Sequence, residues 1–253
     1  MIAPRIEFRS VRLAYGALDV LAGISLSVRP GECVSILGPS GAGKSTLLQL
    51  LTGALVPDGG QILSDGALFD PRVHRFAFMP QRDALMPWRR VIDNATLGLE
   101  VAGVRRTRAR EVVAPLVEEF GLAGFEAHYP TQLSGGMRQR VALLRTVAQQ
   151  RSLLLLDEPF GALDALTRTQ MLQWLAQMRV RRGWTVLLIT HDVREATLLS
   201  DRIFVLSPRP ARVVCCVDVP FPHPRPPGGS TELAALEADL LQTLLNTKEN
   251  VHA

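Results

Sequence analysis

The stretch "GPSGAGKST", Gly38 to Thr46, constrains this chain more than any other. It follows "CVSIL", an apolar, β-branched run that reads as a buried strand, and precedes "LLQLL", which reads as a helix start. The pattern G-x-x-x-x-G-K-[ST] falls on Gly38, Gly43, Lys44 and Ser45. Glycines at these places let the backbone curl until successive N–H groups point inward at phosphate oxygens. Gly38, Pro39, Ser40, Gly41, Ala42, Gly43, Lys44, Ser45 and Thr46 are therefore read as a phosphate cradle. The helix that follows adds its positive end. Lys44 supplies a point charge for the β- and γ-phosphates, and the Ser45 hydroxyl is a ligand for Mg2+. A nucleotide is implied; what its phosphate is used for is not.

A chain of 253 residues, 47% apolar, buries a sizeable core in one domain with room for a smaller subdomain. A net charge of +4 permits contact with acidic surfaces but does not mark a nucleic-acid binder. The three cysteines, Cys33, Cys215 and Cys216, show neither a disulfide ladder nor a zinc spacing, which fits a reducing compartment. Adjacent Cys215 and Cys216 in "RVVCCVDV" read as small strand residues. "MIAPRIEFRS" carries no signal-peptide pattern. Apolar runs such as "SLLLLD" and "TVLLIT" are far shorter than the roughly 20 residues that cross a bilayer. Work at a membrane would need docking onto a partner that spans it.

Alternation of apolar and polar residues predicts strands in "RIEFRSVRLAY" and "ALDVLAGISLSVRPGE", then in "GGQILSDG" and "RFAFMPQ". From about residue 82 to 150 the spacing turns helical, and this segment is read as a mostly helical insert. "SLLLLDEP" is a buried strand, "DALTRTQMLQWLAQMRVRRG" an amphipathic helix, "WTVLLITHD" a strand and "VREATLLS" a helix. "DRIFVLSPRPARVVCCVDV" reads as two strands around a turn. Strands alternating with helices predict a parallel α/β sheet. A Pro/Gly-rich linker is expected at about 220–229 and an amphipathic helix at about 231–246.

Three further motifs carry chemistry. "LLLLDEP" puts Asp157 at the end of a buried strand, where nucleotide hydrolases hold Mg2+ with a carboxylate. Glu158 beside it is a candidate base for an attacking water, although alone it reads equally as a solvated loop acid. "LSGGMRQR" places Ser134, Gly135 and Gly136 at a helix start, which is either a second anion site or an ordinary cap. His191 ends the strand "TVLLIT", within reach of a γ-phosphate or a water, or is simply a strand-end histidine.

Taken together, "GPSGAGKST", the Gln81 of "FMPQ", "LSGGM", "LLLLDEP", "GALD" and "THD" resemble the ATP-binding cassette (ABC) ATPases, in that family's order and along nearly the whole chain. The resemblance implies an α/β fold: a P-loop NTPase core of ABC type with an antiparallel β subdomain and a helical subdomain, one ABC ATPase domain over residues 1–253. It implies ATP and Mg2+ as cofactors. Tyr15 in "LAYG" matches the aromatic that stacks on adenine. Gln81 is similar to the glutamine that senses Mg2+ and the γ-phosphate, and Ser134, Gly135 and Gly136 to the signature that closes on ATP held by a second copy. Glu158 resembles the catalytic base, Asp164 the loop residue across the dimer and His191 the switch histidine, while Ser45, Gln81 and Asp157 match the metal ligands. A head-to-tail homodimer with composite ATP sites follows from the likeness. Met137 stands where the family usually has glutamine, and Gly161-Ala162 where Ser-Ala is common.

Within the family, "RDALMPWRRVIDNATLGLE" and "FGALDALTR" resemble the importer ATPases for nitrate, sulfonates, taurine and thiamine-related pyrimidines. That class implies separate integral membrane permease subunits, a solute-binding protein met only indirectly, and a peripheral position on the cytoplasmic face of the inner membrane. No nucleic acid is expected, and the basic run "VRRTRAR" is read as a solvated face of the helical insert. A soluble ABC ATPase in DNA repair or translation is the alternative, with an exporter subunit as a third reading. Trp88 after Pro87 either lines a groove for the permease's coupling helix or packs inside the subdomain.

Overall fold

The computed structural model describes residues 5–73, 76–225 and 230–249. Along the chain run β1 (Ile6–Tyr15), β2 (Leu18–Val28), β3 (Cys33–Leu37), α1 (Lys44–Thr52), β4 (Gly59–Ser64), β5 (Ala67–Leu68) and β6 (Ala77–Met79). Helices α2 (Val91–Ala95), α3 (Leu97–Val101), α4 (Arg106–Glu119) and α5 (Gly135–Val147) follow. The remainder is β7 (Leu153–Asp157), α6 (Ala165–Arg182), β8 (Thr185–Ile189), α7 (Val193–Leu199), β9 (Arg202–Leu206), β10 (Val213–Asp218) and α8 (Thr231–Glu249). The chain divides into two compact units, Met1–Arg75 with Leu172–Ala253, and Phe76–Met171.

The first unit holds two sheets. One has the order β2-β1-β4-β5 and pairs antiparallel throughout. Here Ser10 sits at φ 49° where the β1–β2 register shifts, and a Cβ on Gly60 would lie 2.4 Å from the Arg9 and Ser10 carbonyls, so only glycine fits against that bulge. The other contains β10-β9-β3-β8. Strands β8, β3 and β9 are parallel, and β10 adds antiparallel to β9. "CVSIL" and "TVLLI" are buried at every position, because a parallel strand is covered on both faces. β10 alternates half-buried and exposed residues, and Cys215 and Cys216 take opposite faces.

The C-terminal stretch is pinned by charge. Buried Arg225 donates to the carbonyls of Thr197, Ser200, Val219 and Phe221. Asp201 accepts from the Cys33 amide (2.8 Å) and from Arg179 (2.5 Å), and His223 Nε2 meets it at 3.2 Å. α8 packs on α7, where Thr197 donates to Glu237 at 2.8 Å. It runs three residues beyond the expected end at 246. Residues 226–229 of the expected linker lie outside the described residues.

In the second unit β6 pairs parallel with β7, and α2 to α5 pack together. The helical spacing of "VIDNATLGLEV" resolves into two short helices, with Thr96 between them. Most of the basic run is consumed locally. Arg106 and Arg110 pair with Asp93 at 2.5 and 2.7 Å, and Arg108 with Glu111 at 2.8 Å. Burial works to raise the Asp93 carboxyl, but hydrogen bonds from both arginines overcome it and hold its pKa below the usual value.

Candidate functional site

In the first unit the cradle leaves the C-terminal end of β3, and His191 leaves the same end of its parallel neighbour β8. The loop closes through Ala42 N–H to the Pro39 carbonyl (3.2 Å). Gly43 precedes α1 at φ 96°, and a Cβ there would stand 2.9 Å from Val20, so β2 seals against a position only glycine can occupy. Lys44 is 6% exposed, and its Nζ donates to the Gly38 and Pro39 carbonyls at 2.8 and 2.9 Å. The ammonium is thus stored inside the loop that would receive phosphate. Tyr15 is 47% exposed at the end of β1, and its hydroxyl donates to Gln49 of α1 (3.3 Å). An exposed ring beside the cradle's helix suits a stacking platform.

His191 is exposed, but its neighbours are fixed. Thr190 donates to Glu195 at 2.6 Å, and Asp192 accepts from the amides of Arg194 (2.8 Å) and Glu195 (3.2 Å), capping α7. Near the cradle, Arg209 was missed by the sequence reading. The Arg209 guanidinium lies against the cradle, 3.0 Å from where a Cβ on Gly41 would be.

In the second unit the same logic recurs. β6 and β7 run parallel with Met79 opposite Leu156, so Gln81, Asp157 and Glu158 emerge at one end. Gln81 Nε2 donates to Glu158 Oε2 at 3.2 Å. Asp157 is 5% exposed. Glu158 has φ 48°, a left-handed conformation that side chains rarely take outside glycine. Ser134 caps α5, accepting from the Met137 amide at 3.2 Å. A Cβ on Gly136 would sit 3.5 Å from the Ala162 carbonyl, so the SGG start lies beside the loop that leads to Asp164. Exposed Asp164 accepts from the Thr167 amide at 3.0 Å, and its hydrogen bonds to Thr167 hold its carboxyl below the usual range.

The segment after Gln81 is clamped by residues the sequence did not single out. Arg138 reaches Asp83 at 2.9 Å, and Arg145 donates to the Asp83 and Ala84 carbonyls at 2.8 and 2.7 Å. Buried Asn94 accepts from the Met86 amide and donates to the carbonyls of Met86, Arg89 and Arg90. Trp88 on this loop is 73% exposed and does not pack inside the helical unit.

The family model described as ABC transporter matches residues 21–161. The chain belongs to the ABC transporter family. As an ABC ATPase it is 44% identical over 244 residues to the aliphatic sulfonates import ATP-binding protein SsuB 2 of Xanthomonas axonopodis pv. citri, covering 96% of this chain and 81% of that protein. It is 46% identical over 232 residues to SsuB 1 of Rhodococcus jostii, covering 91% and 89%. The formylaminopyrimidine import ATP-binding protein ThiZ of Halalkalibacterium halodurans is 42% identical over 221 residues, covering 87% and 86%. Among solved structures, the dimeric structure of a bacterial ABC transporter cassette aligns with a TM-score of 0.77 at 28% identity, covering 85% of this chain and 99% of that one. A post-hydrolysis dimer of an ATP-binding cassette with ADP and Pi aligns at 0.73, also at 28% identity and covering 85% and 99%. The expected α/β ABC fold and ATPase activity hold, and the matches lend no support to a role in DNA repair.

Proposed function

We propose that this ABC ATPase powers an importer for an aliphatic sulfonate or a similarly small solute. Similarity over nearly the full length, at 44% and 46% identity, to sulfonate-import ATP-binding proteins carries the reading. ATP is taken up by the cradle from Gly38 to Thr46, with Lys44 turning from its own loop carbonyls to the phosphates and Tyr15 stacking on adenine. Glu158, held by Gln81, removes a proton from the attacking water, and His191 steadies the γ-phosphate. Ser45, Gln81 and Asp157 offer hard oxygen donors, the ligand chemistry that Mg2+ prefers. When bound, Mg2+ neutralises charge on the phosphates. Ser134, Gly135, Gly136 and Asp164 serve the nucleotide of a second copy in a head-to-tail homodimer.

Work is delivered to separate permease subunits at the cytoplasmic face of the inner membrane. No helix among the described residues is long and apolar enough to cross a membrane. A solute-binding protein meets this chain only through those permeases.

The test is light scattering coupled to size exclusion on Glu158→Gln, with and without ATP. The variant should bind ATP, fail to hydrolyse it and form an ATP-dependent dimer. Hydrolysis at the parental rate would remove Glu158 from its role, and a monomer at saturating ATP would argue against the composite site.

A further inference from the structure

The buried carboxamide of Gln139, on α5, donates from Nε2 to two successive carbonyls, Glu158 at 3.2 Å and Pro159 at 3.0 Å. The Glu158 carbonyl also accepts from the Gly161 amide at 3.3 Å, closing a turn directly after β7. This is an expensive place to bend a chain. A non-glycine residue at φ 48° lies in a sparsely populated region, and the proline that follows narrows the choice further. Such a conformation persists only where surrounding groups over-determine it. Among the described residues, Gln139 holds this backbone from outside the loop. By holding the two successive peptides that follow the bend, it fixes where the backbone leaves Glu158 and so where its side chain stands, which is the geometry that lets Oε2 accept from Gln81.

We propose that Gln139 is a positioning residue for hydrolysis: it holds the Glu158 backbone so that the carboxylate is aimed for catalysis only when the signature helix α5 is seated against the loop. Gln139 stands five residues after Ser134 on the same α-helical segment. The start of that helix also lies against the Ala162–Leu163 backbone. A displacement of the SGG group is therefore transmitted to the Glu158 peptide through the Gln139 side chain, without passing through nucleotide. The proposal rests on the reading of Glu158 as the base.

Gln139→Glu keeps the shape but replaces the donor with an acceptor facing two carbonyl oxygens. Burial and those oxygens favour the protonated acid, which regains one O–H donor. Three quantities are measured on the full chain: kcat for ATP, the Kd for ATP, and amide hydrogen exchange of residues 158–163. We expect kcat to fall about tenfold or more at about pH 8 with Kd changed less than about twofold. The ratio of variant to parental kcat should rise as the pH falls from about 8 to about 6, and Gly161 should exchange faster. Gln139→Met, which cannot titrate, should show the loss without the pH-dependent recovery.

A kcat loss that is independent of pH in Gln139→Glu, a parallel loss of ATP affinity, or unchanged exchange at Gly161 would each overturn the proposal. Glu158→Gln separates the two claims. If it hydrolyses normally, the reading of Glu158 has failed. If it is inactive while Gln139→Glu matches the parent, the positioning role alone has failed.

Discussion

Single residues in this chain act mostly through backbone carbonyls and amides. Lys44, Asn94, Arg145, Gln139 and Arg225 all donate to carbonyls, and so fix loops and strand ends. Asp201 is the clearest charged case. Burial alone would raise its carboxyl, but His223, Arg179 and the Cys33 amide hold its pKa well below the usual range. A depressed carboxylate pKa contributes stability that is present above the unfolded value, about 3.9, and is lost as the pH falls below it. Thermal unfolding should therefore show a falling Tm below about pH 4, and Asp201→Asn should lower Tm at neutral pH and flatten that slope. An unchanged slope would mean that other carboxylates carry the acid sensitivity. Cys33 needs no redox role. It is fully buried, and desolvation pushes its thiol up to about 12, which keeps it inert.

At the scale of elements, the chain repeats one device in each unit. A parallel strand pair delivers polar groups to one end: the cradle and His191 from β3 and β8, Gln81 and the two carboxylates from β6 and β7. Ligands gather at the carboxyl ends of such strands. α5 serves two purposes, since its start presents Ser134 and its body holds Asp83, Ala84 and Glu158 in place. The loop of Trp88 is tied down by Asn94 and Arg145 on its backbone and by Arg138 on the Asp83 carboxylate, while the indole itself projects into solvent. Trp88→Ala should then change unfolding free energy by less than about 0.5 kcal/mol, as surface substitutions do. It should lower solute uptake in a reconstituted transporter more than it lowers ATP hydrolysis. Equal loss of both activities would remove the coupling role from this loop.

At the scale of the whole molecule, the proposed mechanism needs two chains, and that can be tested by mixing. A Lys44→Ala chain has lost its cradle charge and a Ser134→Ala chain its signature hydroxyl. Each alone should hydrolyse ATP poorly. Their mixture should recover part of the parental rate, because one pairing restores an intact site. No recovery would count against composite sites. What local pattern could determine was determined: the glycine-rich turn, the mostly apolar strands and the helix start at Ser134 rest on residues within a few positions of one another, and their physics is short-ranged. Trp88 was open between packing inward and facing out, because one sequence position does not say which face a loop presents. The basic run from Val104 to Arg110 could be read as a solvated face, but its pairing with Asp93 could not, since that carboxylate lies in another helix. The left-handed turn at Glu158 and its link to Gln139, 19 residues away, were equally invisible. Those contacts exist only once strands and helices have packed, because the long-range partner, not the local propensity, sets where each donor finds its acceptor.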